Sequence, residues 1–308
     1  MTSTPFSPLL VADEVRAAVA EGRPIVALES TIFTHGLPRP RNAEVALEAE
    51  RELRASGVVP ATVGVVDGTA IVGLSTGQIE RLSNTEGSSK VSVRDLPVAL
   101  AKRLSGGTTV AATAFLAHQA GVRVFSTGGL GGVHVGASTS FDESADLPVL
   151  ARTPILVVSA GVKSILDIGA SLERMETLSV TVVGYKTTTY PGFYVADSGY
   201  ELEYAVDDAA EAADLIHARD ALAIPGAVVV ANPVSPAEQL PAEQHREVLA
   251  SAWQAATDAG IAGNETTPFL LDYIQKNTGG RSLDVNVAVY RSNVALGGQI
   301  ALALTDNR

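Results

Sequence analysis

The sequence predicts an α/β protein: a three-layer α/β/α sandwich on a mixed central sheet. Three observations carry this reading. Short Val/Ile-rich runs bounded by Gly or Pro alternate with longer amphipathic stretches. Asp67-Gly68 joins two apolar runs as a hairpin signal, so the sheet is not purely parallel. No repeat, low-complexity tract or linker divides the 308 residues, which read as one domain over 1–308. In order, 24–28, 62–66, 122–126, 154–159, 180–183 and 227–231 are predicted strands, being short, apolar and β-branched. The spacing of apolar residues predicts helices over 42–56, 109–120, 207–222, 242–259 and 282–304. Thr267-Pro268 reads as a helix cap followed by proline at the first helical position, and Gly279-Gly280 as a stop.

Composition narrows the function. With 22 basic and 34 acidic side chains the formal charge is −12, which argues against a nucleic-acid groove or an anionic membrane as partner. Cysteine is absent, so disulfides, thiolate zinc sites and cysteine nucleophiles are excluded. The start of the chain lacks the basic and apolar regions of a secretory signal, and no window approaches the roughly 18 apolar residues of a membrane span. A soluble, cytoplasmic protein is expected.

Ligands of such sheets gather beyond the carboxyl ends of the strands. Four candidate exits stand out: 29–31, 126–129, 141–146 and 161–164. Glu29 follows a buried strand, where desolvation would raise its pKa and suit it to proton transfer; capping the next turn is the plainer reading. The glycines of 126–134 fail the dinucleotide pattern, because His134 stands where its last glycine belongs. They serve either a tight turn or close approach of backbone amides to an anion. The run 161–164 fails the phosphate-loop pattern, leaving Lys163 between apolar flanks at an expected helix N-terminus. A depressed pKa there would make it an amine nucleophile for a Schiff base; a surface lysine or a phosphate contact are the alternatives. Asp142, Glu143 and Asp146 offer oxygen ligands for a hard cation, or the acids of a helix start. His245, on a polar helix face, is expected to be solvated.

Taken together, 27–42, 59–68, 90–97, 108–113, 125–134, 141–147, 160–169, 267–271 and 278–286 resemble the pseudouridine-5′-phosphate glycosidase family, in family order and over nearly the whole chain. The resemblance implies an α/β/α sandwich assembled as a homotrimer, a divalent metal (Mn²⁺, or another such as Mg²⁺), and reversible cleavage of the C–C bond between ribose 5-phosphate and uracil. It implies no carbohydrate-kinase domain, which some relatives carry fused. By position, Lys163 matches the Schiff-base lysine, Glu29 the general acid/base and Asp142 the metal-binding aspartate. Ser144, Ala145 and Asp146 match a substrate-contacting segment, Lys90 and Thr127 the phosphate contacts, Val110 another substrate position, and Asn286 an asparagine near the base.

A C-glycosidic bond has no leaving-group oxygen to protonate, so the two-carboxylate route of ordinary glycosidases cannot serve, whereas an iminium at C1′ supplies an electron sink. Related enzymes run the reaction in synthesis, attaching ribose 5-phosphate to an aromatic polyketide, and such a C-ribosyl synthase is the alternative. Phe33, Val135, Asn264 and the run 187–195 depart from the family pattern.

Overall fold

A computed structural model describes residues 9–261, 263 and 266–306. The chain opens with β1 (Leu9–Val11), α1 (Asp13–Glu21) and β2 (Ile25–Leu28). It continues through α2 (Arg41–Ala55), β3 (Val59–Val66), β4 (Thr69–Val72), α3 (Thr76–Asn84), β5 (Ser89–Val91), α4 (Leu96–Ala101) and β6 (Gly106–Thr108). Next come α5 (Val110–Gln119), β7 (Val124–Ser126), two short helices α6 (Ala137–Ser140) and α7 (Asp146–Leu150), and β8 (Leu156–Ser159). The last part is α8 (Ile168–Thr177), β9 (Thr181–Tyr185), β10 (Ala205–Val206), α9 (Ala209–Ala221), β11 (Val228–Ala231), α10 (Ala242–Asp258), α11 (Thr266–Asn277) and α12 (Arg281–Asp306).

The strands form one mixed sheet in the order β1-β4-β3-β2-β7-β8-β11-β9-β10, with β6 joined to β3 and β5 to β6. From β3 through to β10 every pairing is parallel. Two pairings on β3 are antiparallel: that with β6, and that with β4, which the Asp67-Gly68 turn sends back along it. Both turn residues are left-handed (φ 49° and 76°), as a two-residue hairpin with right-handed strand twist demands.

Alternation along the buried strands separates two cores. In β2, Ile25 and Ala27 join one apolar cluster while Val26 and Leu28 join the other. The first cluster is closed by α1, α5, α8, α10 and α11; the second by α2, α3 and α9. The long α12 contributes Val285 and Val289 to the former and Val287, Tyr290 and Val294 to the latter. This is the predicted three-layer sandwich with a mixed sheet. No helix among the described residues is long and apolar enough to cross a membrane.

Several expectations shift. The helix read as capped by Thr267 begins at Thr266, so Thr267 lies inside its first turn. Residues 141–146 are not a strand exit; 141–145 link α6 to α7, and Asp146 begins α7. Lys163 is not at a helix N-terminus, because α8 starts at Ile168 with Asp167 as its cap. His245 is not solvated: its Nε2 is buried without a hydrogen-bond partner, and its ring lies 6.0 Å from that of Tyr194. A polar helix face is covered here by the loop that carries Tyr194.

Candidate active site

Glu29 stands directly after β2, at the carboxyl end of the parallel strands, and is only 6% exposed. Its two oxygens accept hydrogen bonds from the hydroxyls of Thr127, after β7, and Thr31. Burial pushes its pKa up; the Lys163 charge and the two hydroxyls pull it back, and Asp146 pushes it up again.

Beyond their last ladder residues, the exits of β7 and β8 stay side by side. Ala160 N–H donates to Gly128 O (2.9 Å), Leu130 N–H to Gly161 O (2.9 Å) and Lys163 N–H to Leu130 O (3.0 Å). This extended pairing turns Lys163 so that its amine donates to Gly129 O at 2.8 Å. Burial lowers the amine's pKa, Glu29 and Asp146 raise it, and Lys90 lowers it further. The depression foreseen in sequence thus comes from desolvation, not from a helix end. The other four lysines, Lys90, Lys102, Lys186 and Lys276, are exposed.

The glycines of this loop are close-approach glycines. A Cβ on Gly131 would lie 2.2 Å from Ser144 Oγ and 2.7 Å from Asp146 Oδ2. The anion that the backbone meets is the chain's own: Asp146 accepts from Gly131 N–H (2.8 Å) and from Ala111 N–H (2.9 Å) in the first turn of α5. Asp146, 6% exposed, therefore ties the loop to α5 and adds a negative charge to the field of Lys163 and Glu29. Ser144 Oγ accepts from Asp146 N–H (3.2 Å), Ala145 precedes the first residue of α7, and Val110 is the buried first residue of α5. Thr127, expected at a phosphate, is fully buried with its hydroxyl on Glu29. Lys90 is exposed on β5, paired with Gly107, and its charge reaches Lys163 and His35. Asn286 Oδ1 lies beside Gly128, 3.6 Å from where a Cβ would stand.

Asp142 is partly exposed, with its Oδ2 3.8 Å from His134 Nδ1, while Glu143 is taken by Arg174 (2.9 Å). Among the described residues no three His, Asp or Glu side chains converge on one point. This donor set fits a hard cation that keeps most of its water and takes a single protein carboxylate. Of the departures, Phe33 is core, Val135 is 53% exposed, and Asn264 lies outside the described residues.

Sequence reasoning missed Asn293. Fully buried, it donates through Nδ2 to Thr127 O (2.7 Å) and accepts at Oδ1 from Asn232 (2.9 Å), after β11. It fixes two strand exits at once. Its spacing of seven residues, two helical turns, from Asn286 was the available signal.

The family described as indigoidine synthase A like protein matches residues 14–303. The chain belongs to that family. Within the indigoidine synthase A-like family, it is 62% identical to a pseudouridine-5′-phosphate glycosidase of Saccharopolyspora erythraea over 300 residues, covering 97% of this chain and 99% of the relative. A second such glycosidase, of Frankia alni, is 54% identical over 96% of this chain and 82% of its own. Among solved structures, the prealnumycin C-glycosynthase AlnA in complex with ribulose 5-phosphate superimposes with TM-score 0.91 at 35% identity, covering 98% of this chain and 99% of its own. An indigoidine synthase A-like protein of Thermotoga maritima gives 0.87 at 33% identity, covering 96% of both chains.

Proposed function

We propose that this chain is a pseudouridine-5′-phosphate glycosidase, a single catalytic domain that cleaves the nucleotide reversibly to uracil and ribose 5-phosphate. The observation that carries the reading is the pairing of a desolvated lysine amine with a buried carboxyl at the end of the parallel strands. Burial favours the neutral form of both groups, while the opposite charge of each favours the charged form of the other, so their titrations are coupled.

The reaction needs the amine of Lys163 free and the carboxyl of Glu29 protonated. As the C1′–O4′ bond opens, Glu29 gives its proton to O4′ and the free amine of Lys163 bonds to C1′. Glu29 takes the proton the nitrogen releases. The nitrogen lone pair then expels the base carbon, which Glu29 protonates, leaving an iminium between Lys163 and C1′. Water adds to C1′, and ribose 5-phosphate departs as the amine is restored. Thr31 and Thr127 hold the Glu29 carboxyl in place, and Asp146 keeps the glycine loop against α5.

Lys90 is the cation for the 5′-phosphate, with Val110 and 144–146 lining the sugar and Asn286 toward the base. Asp142 would hold a divalent cation, Mn²⁺ or Mg²⁺, which supplies positive charge beside the sugar phosphate when bound. The protein acts in the cytoplasm as a homotrimer. The 62% identity to a glycosidase, against 35% to the C-glycosynthase, favours uracil as the leaving group.

Incubation with pseudouridine 5′-phosphate and Mn²⁺ tests this. Uracil release, lost in Lys163→Ala, is expected. Binding of ribose 5-phosphate without uracil release would replace the reading with that of a C-ribosyl synthase.

A further inference from the structure

The segment between β9 and β10 crosses behind Lys163 and does something its sequence did not disclose. It folds as a strap: Tyr190 N–H donates to Tyr200 O (2.8 Å), Leu202 N–H to Thr188 O (2.7 Å) and Ser198 N–H to Tyr190 O (3.0 Å). Its tip is pinned to the stretch before α10, with Leu240 N–H on Tyr194 O and Ala196 N–H on Gln239 Oε1, both at 2.9 Å.

Two side chains of the strap touch the lysine's supports. The Tyr190 hydroxyl, in a fully buried side chain, accepts from Val162 N–H at 2.9 Å, one residue before Lys163. The Phe193 ring lies against Gly129, 2.6 Å from where a Cβ would stand, and Gly129 is the residue whose carbonyl takes the Lys163 amine. The backbone of Gly161 is equally confined, its Cβ position 2.7 Å from Pro191 O. Phe193 reaches its place with φ +64°, a conformation a bulky aromatic residue adopts only when its surroundings enforce it.

We propose that Tyr190 and Phe193 are positioning residues for Lys163, the hydroxyl fixing the backbone before it and the ring fixing the carbonyl that receives its amine. The strap thereby supports the side chain from the backbone before it and from the carbonyl at its tip. The catalytic part of this inference rests on the Schiff-base reading above; the packing part does not. Burial holds the Tyr190 phenol protonated, so it acts as a neutral acceptor and not as a further base. The charged groups acting on the amine, Glu29, Asp146 and Lys90, are untouched by changes in the strap.

Tyr190→Phe deletes only the hydroxyl and leaves the Val162 amide without its acceptor. Borohydride trapping of ribose 5-phosphate should then slow about tenfold while its affinity stays within about twofold, since an unpaired buried amide displaces the segment it belongs to. Reductive methylation without substrate, read by peptide mass spectrometry against pH, should show the Lys163 limb moving up toward an ordinary lysine, with Lys90 and Lys276 unmoved. A merely structural tyrosine would lower the melting temperature and leave both readouts alone. Should Tyr190→Phe not fold, Phe193→Leu is expected to shift the same two readouts. Wild-type trapping rate with an unmoved Lys163 limb would overturn the inference. A wild-type enzyme that traps nothing overturns the Schiff-base reading instead, and the methylation limb still decides the strap.

Discussion

Replacing Asp146 with asparagine separates the electrostatic from the structural part of the site. Both carboxylate oxygens are occupied, Oδ1 by Ala111 N–H at 2.9 Å and Oδ2 by Gly131 N–H at 2.8 Å. An asparagine of the same shape keeps one oxygen and sets an NH₂ against the other backbone N–H. One hydrogen bond to a charged group is lost, about 1.5–3 kcal/mol, and the other drops to a neutral one, about 1 kcal/mol less. The expected cost is therefore about 2–4 kcal/mol of folding stability. At about 2 °C per kcal/mol for a chain of this size, the melting temperature should fall by about 4–8 °C. The charge has a second effect of defined sign. Asp146 raises the pKa of the Lys163 amine, so removing it lowers that pKa further. Thermal unfolding and pH-dependent methylation of Lys163 read the two effects separately. An unchanged melting temperature, or a Lys163 limb that moves to higher pH, would refute this account of Asp146.

Two further perturbations follow from the same geometry. In wild type, activity should be bell-shaped in pH, because the reaction needs a free amine on Lys163 and a proton on Glu29, and the two limbs belong to the coupled pair. Glu29→Gln removes a carboxylate that raises the lysine's pKa, so methylation of Lys163 without substrate should set in at lower pH, and kcat should fall by about 10²–10⁴ for want of the acid/base; a Lys163 limb that moves upward contradicts the pairing. Lys90→Ala should weaken binding of ribose 5-phosphate by about tenfold and of ribose hardly at all, measured by calorimetry, because a partly exposed charge contact to phosphate is worth about 1–2 kcal/mol. Equal loss for both sugars would remove Lys90 from the phosphate.

The parts of this molecule that could be read in advance share a cause. The β2 and β8 exits were visible because Val/Ile runs end abruptly in Glu29 and in Ser159. Lys163 was visible because its flanks are apolar on both sides, which signals burial whatever the local backbone does. The opposite holds for β5 and β6, Ser89–Val91 and Gly106–Thr108, whose three residues carry no periodicity and become strands only because β3 offers an edge to β6. Long-range partnership hid the rest. Nothing near Thr127 in sequence says that its hydroxyl will meet Glu29, 98 residues away. His245 was misjudged because the surface covering it comes from the strap, and Asn293 was overlooked because helical spacing marks a face but not what that face meets.

The claim on which the rest depends is that one lysine, unlike the four exposed ones, presents a free amine to the opened sugar. Borohydride reduction with ribose 5-phosphate, followed by peptide mass spectrometry, tests it directly. The account predicts a single reduced sugar-phosphate adduct on Lys163. An adduct on Lys90, Lys102, Lys186 or Lys276 with Lys163 unmodified, or no adduct at all from an enzyme that releases uracil, would contradict it.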